Sequence, residues 1–166
     1  MWLIFVMFLL TGCTSSSPWT YREMKCDTPS ALLLYPAENT YSGIELKFLA
    51  GNFGTVGYLN IYQGCVTRAE KDPQKAEVLY TIEGKRRKTF AFVMEGEQSL
   101  LLSEKATLTL LTALSEGKEC EITLKGYSSK IVASNFPTLY KKFLLIDNFQ
   151  GVDRLQGHLG EAQHGR

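Results

Sequence analysis

The sequence predicts an α+β fold, a compact and mainly antiparallel β domain with one central helix and a short C-terminal helix. Three observations carry the prediction. Ile44, Leu46 and Phe48 alternate with Glu45 and Lys47, and Cys120, Ile122 and Leu124 alternate with Glu119, Glu121, Thr123 and Lys125; period two marks strands with one buried and one wet face. Between those stretches Ala106, Leu110, Ala113 and Leu114 recur at helical spacing, broadened by Leu111. Turn-forming residues punctuate the strand-like runs at short intervals. A Greek-key β-sandwich is the alternative arrangement, since the chain supplies six or seven strands.

Taken in order, Ala31–Tyr35 is a short apolar run stopped by Pro36, consistent with a first strand. Asn39, Ser42 and Gly43 then make a turn into the Ile44–Phe48 strand. Residues 50–54 supply turn chemistry and Thr55–Tyr62 returns as a partner strand. Phe53, Tyr58 and Tyr62 serve sheet packing in the simpler reading and line a ligand groove in the other. Gln63–Lys75 has little apolar periodicity and reads as a surface connection. Glu77–Ile82 and Lys88–Met94 flank Glu83-Gly84-Lys85-Arg86-Arg87 as a hairpin. Phe90, Phe92 and Met94 share one strand face there, and Val78, Tyr80 and Ile82 share a face of its partner. Ser99–Leu102 follows, and Ser103 caps a helix through Ser115, which Gly117 stops. After Glu119–Lys125 and Tyr127–Ala133, Asn135 and Pro137 introduce a short terminal helix ending near Ile146, with Leu139, Tyr140 and Phe143 available to close the sheet. Beyond it, four glycines among polar residues predict a mobile tail.

The N-terminus carries a different signal. Trp2–Leu10 is entirely apolar, too short for the roughly 20 residues of a transmembrane helix but within the ~7–15 of a secretory leader. Leu10-Thr11-Gly12-Cys13, followed by Thr14, Ser15, Ser16 and Ser17, resembles the lipobox of bacterial lipoproteins. The resemblance implies cleavage before Cys13 and a lipid thioether on its sulfur. It also implies outer-membrane sorting, because Thr14 stands where an inner-membrane retention signal would place Asp. The chain thus divides into a signal peptide (1–12), a lipidated N-terminus and tether (13–24), a single α+β domain (25–147) and a flexible tail (148–166). The body is expected to face the periplasm, with display at the cell surface as the alternative.

Of the four cysteines, lipidation would take Cys13 and leave Cys26, Cys65 and Cys120. An exported compartment permits one disulfide among these three, and the sequence does not choose the pair. A formal net charge of +1 is not that of a general nucleic-acid binder. The concentrated basic tract Lys85-Arg86-Arg87-Lys88 is a candidate anion site, against the simpler reading of a solvated hairpin turn.

Motifs for phosphate cradles, metal-ligating histidine pairs or a nucleophile elbow are missing from the sequence, so neither cofactor nor metal is expected. Glu45, Asp72, Glu77 and Glu95 are the carboxylates from which a hydrolase would need to draw a pair. The order of elements over residues 100–145 is diffusely similar to the periplasmic invasion-associated locus B proteins, and no residue role is transferred from them. The leading expectation is an envelope-anchored, nonenzymatic structural or protein-interaction lipoprotein, its partners the membrane through Cys13 and an envelope protein or lipid. A module for lipid or small apolar ligands comes second and an envelope hydrolase third.

Overall fold

The computed structural model describes residues 18–25, 29–51 and 54–146. Its strands are β1 (Thr20–Lys25), β2 (Pro29–Tyr35), β3 (Glu45–Gly51), β4 (Gly54–Asn60), β5 (Lys75–Ile82), β6 (Lys85–Val93), β7 (Ser99–Leu101), β8 (Cys120–Leu124) and β9 (Tyr127–Ile131). Helix α1 (Glu104–Ser115) lies between β7 and β8, and α2 spans residues 136–146. All nine strands join one sheet in the order β1-β2-β3-β4-β7-β6-β5-β8-β9, and every pairing is antiparallel. The α+β expectation holds, and the single sheet replaces the two layers of the Greek-key alternative.

Period two fixes the sheet's inner face. Leu33, Phe48 and Gly57 stand in one cross-strand row, and Tyr35, Leu46, Leu59 and Leu100 in the next. All but Gly57 belong to the apolar core, whose members are no more than 6% exposed. Both helices cover this face. Helix α1 begins where the Ser103 hydroxyl accepts the Ala106 N–H at 3.3 Å, and it buries Ala106, Leu110, Leu111, Ala113 and Leu114. Its seat on β4 is the bare backbone of Gly57, against which Thr107 and Leu102 pack. Helix α2 inserts Phe136 against Trp19, with ring centroids 4.5 Å apart. Trp19 also meets Tyr35 edge-on and stacks on Phe48. Burial of each such side chain contributes about 1.5–3 kcal/mol.

The sheet curls until its far strand meets the ends of the first three. The Trp19 indole donates to the Val132 carbonyl at 2.8 Å and the Tyr35 hydroxyl to that of Lys130 at 3.1 Å. The Ile44 N–H donates to the buried Ser129 hydroxyl at 2.7 Å, and the Ser128 N–H to the Ser42 carbonyl. Asn135 adds a side-chain bond to the Trp19 carbonyl at 3.1 Å. This seam is a line of single hydrogen bonds and does not complete a barrel.

Two sequence expectations are corrected. The folded body does not begin at residue 25: Trp19 is 2% exposed and β1 pairs along its whole length with β2. An edge strand pairs on one side only, so Thr20–Lys25 lacks the regular apolar alternation that betrays a central strand. The apolar faces of β5 and β6 also do not meet. Register pairs Val78 with Thr89, Tyr80 with Arg87 and Ile82 with Lys85, so Phe90, Phe92 and Met94 project outward, each between 39% and 46% exposed. The expected tail at 148–166, like Cys13 and Cys26, lies outside the described residues.

Candidate functional site

The hairpin that carries the basic tract turns on Glu83 and Gly84, both with positive φ (50° and 75°). Such a two-residue loop matches the twist of the flanking strands. Lys85 to Lys88 therefore belong to β6 itself, and strand geometry sends alternate side chains to opposite faces. Lys85 and Arg87 line a groove between α1 and the hairpin. Arg86 and Lys88 project to the other side, where Lys88 pairs with Glu77 at 2.5 Å and lies over the Phe90 ring. The four charges thus form two pairs and not one cluster.

The α1 groove has a volume of about 690 Å³. Its apolar lining comes from Ile82, Ala113 and Leu108. Leu108 is 52% exposed, the large apolar residue of α1 that faces away from the core. At one end Lys118 holds Glu116 at 2.8 Å and Glu83 at 3.2 Å. Those two carboxylates raise the Lys118 pKa by hydrogen bonding. Lys85, Arg87 and Lys105 line the same groove without an ion pair or side-chain hydrogen bond among the described residues.

A second groove, about 770 Å³, runs between the 67–71 connection and the outward faces of β5, β6 and β8, with Leu79 and Phe90 in its lining. Two of its cations are already engaged: Lys88 by Glu77, and Arg68 by Glu97 at 2.5 Å. On the inner face the aromatic core is packed and buried. Trp19, Phe48, Phe136, Tyr140 and Phe143 form a continuous chain of ring contacts there.

Glu45 is the buried charged residue among those described, at 4% exposure. It accepts from Asn60 at 2.8 Å and from the Tyr62 hydroxyl, and pairs with Lys47 at 2.6 Å. Burial alone would raise its pKa, but the hydrogen bonds from Lys47, Tyr62 and Asn60 outweigh that and hold it below the ordinary range. The same contact pushes the Tyr62 phenol up to about 12. Asp72 and Glu77 each have a separate lysine partner, Lys75 and Lys88. Each of these three carboxylates is thus ion-paired to its own lysine. Tyr58 is partly buried on the outward face and the Tyr62 hydroxyl is spent on Glu45, while Phe53 lies outside the described residues.

Cys65 is exposed and Cys120 buried, and both thiols are free. A Cys65–Cys120 disulfide is therefore not formed, because one residue lies on the connection after β4 and the other faces the core from β8. Burial pushes the Cys120 thiol up to about 12. Among the described residues no cluster of His, Cys, Asp and Glu is placed to hold a metal, and no helix is long and apolar enough to cross a membrane. No protein-family model, curated protein or solved structure matches the chain. Sequence reasoning missed Lys105 and Leu108 as groove residues. The sole signal was Leu108, an apolar residue off the helix's buried stripe.

Proposed function

We propose that the chain is an envelope-anchored, nonenzymatic interaction lipoprotein, held by lipid on Cys13 in the outer membrane with its body facing the periplasm. The observation that carries this reading is the apolar run Trp2–Leu10 ending in the lipobox-like Leu10-Thr11-Gly12-Cys13. Trp19 adds a geometric consequence. It is locked into the core, so the chain from Cys13 to Trp19 reaches at most about 22 Å, at roughly 3.3–3.6 Å per residue. A body on so short a tether stays beside the lipid headgroups with its β1 end nearest the anchor. The hydrocarbon chains supply the attachment, about 0.8 kcal/mol per buried methylene. The engagement of Glu45, Asp72 and Glu77 by separate lysines favours structural roles for those carboxylates.

The test is intact-mass analysis of the protein from its native host, together with membrane fractionation of Cys13→Ser. A mature N-terminus at Cys13 carrying acyl mass, and release of the folded variant from membranes, are expected. An unmodified Cys13 sinks the proposal, and fractionation of the lipidated protein with inner membrane sinks the sorting.

A further inference from the structure

We propose that the groove between α1 and the β5–β6 hairpin binds an amphipathic anion, a phosphate-headed molecule with a short apolar portion. Lys85 and Arg87 line it from one face of β6 and Lys105 from the first turn of α1, so three cations from two elements share one groove. Among the described residues Lys47, Arg68, Lys75, Lys88, Lys118 and Lys130 each have a carboxylate within 3.2 Å, whereas Lys85, Arg87 and Lys105, like Lys71 and Arg86 elsewhere on the surface, have none. The lining carries four cations and three carboxylates, a net charge of +1: Glu83 and Glu116 share Lys118, and Glu104 has no ion-pair partner among the described residues. Arg87 presents a planar fork suited to two phosphate oxygens, and the lysines supply point charges beside it. In the same lining Leu108, Ile82 and Ala113 offer apolar surface that inorganic phosphate would leave uncovered. Leu108 is 52% exposed, so its apolar surface is open to a ligand's alkyl portion. The site is independent of lipidation at Cys13.

The test titrates the full chain in lipid-free buffer calorimetrically with hexyl phosphate and, separately, with inorganic phosphate. Hexyl phosphate is expected to bind more tightly. The Lys85→Gln, Arg87→Gln double variant should weaken hexyl phosphate binding about tenfold or more, the loss expected for two charge-assisted contacts. The control is Arg86→Gln, Lys88→Gln, which removes the same charge from the same tract on the opposite face and should leave binding unchanged. Leu108→Ser should weaken hexyl phosphate and spare inorganic phosphate. All of these positions are solvent-facing, and circular dichroism melts confirm folding. Equal losses in the two double variants, no binding of hexyl phosphate, or inorganic phosphate binding as tightly as the alkyl ester would each overturn the proposal. Competition by phosphatidylglycerol vesicles identifies a bilayer headgroup as the source, and its failure a free amphiphile; both uphold the site.

Discussion

The contact between Gly57 and Thr107 sets how closely α1 approaches the sheet, and it can be measured. A Cβ at position 57 would lie 2.9 Å from the Thr107 Oγ1, 3.3 Å from its Cγ2 and 3.1 Å from the Leu102 Cδ1. Gly57 is not among the positive-φ glycines, so alanine meets no backbone strain there. Two effects then compete in Gly57→Ala. Replacing a strand glycine by alanine gains roughly 0.5–1 kcal/mol from the unfolded state. Overpacking against a buried threonine costs about 1–3 kcal/mol, and the Thr107 hydroxyl is pinned by its 3.0 Å bond to the Ser103 carbonyl. The net expectation is a loss of about 1 kcal/mol, or roughly 2–4 °C in Tm for a chain of this size. On a Thr107→Ala background the two closest obstructions from that side chain are gone, and the Leu102 methyl can rotate away. The same Gly57→Ala change should then be neutral or slightly stabilising. A double-mutant cycle by urea denaturation isolates a coupling of about 1–2 kcal/mol, since the separate costs of Thr107→Ala cancel. If Gly57→Ala stabilises the otherwise native chain, or the coupling falls below about 0.5 kcal/mol, α1 does not rest on β4 as described.

Three further outcomes are expected. Ser103→Ala removes the hydroxyl that accepts the Ala106 N–H and should cost about 1 kcal/mol in denaturation midpoints; an unchanged midpoint would show that water caps the end equally well. Native-state alkylation followed by peptide mass spectrometry should modify exposed Cys65 and spare Cys120, whose thiol burial pushes up to about 12, with equal labelling rates counting against a buried β8 face. The lowered pKa of Glu45 relative to its usual 4.5 contributes stability that is present above that value and lost as pH falls through the folded-state value. Glu45→Gln should therefore flatten the acid limb of the stability curve, and urea midpoints that decline equally on acidification in both proteins would contradict it.

Local pattern made much of this fold readable. The Ile44–Phe48 alternation, the Ser103 cap and the Gly117 stop are each decided within a few residues, and each element stands where those residues place it. Pairings that depend on distant partners were not readable. Nothing in Ser99–Leu101 announces that it sits between β4 and β6, because three residues carry no register signal. The site was half legible for the same reason. The basic tract is obvious as a string of letters, yet its division between two faces depends on whether the turn takes two residues or five. That is set by the positive φ of Glu83 and Gly84, a conformation that glutamate does not advertise. Lys105 joins Lys85 and Arg87 only through the seating of α1, which local sequence does not encode.

The seam has a consequence for the order in which the molecule becomes itself. Trp19 and Val132 are 113 positions apart, and Asn135 reaches back 116 to the Trp19 carbonyl. Contacts of that span are made late, because loop closure must be completed before they return any energy. Until α2 arrives, Trp19 and Phe48 have no Phe136 to pack against, and the first three strands present an open apolar end. A chain cut before residue 136 should therefore hold its central hairpins but bind hydrophobic dyes and aggregate. Helix α2 acts as the latch on Trp19 and the first strands.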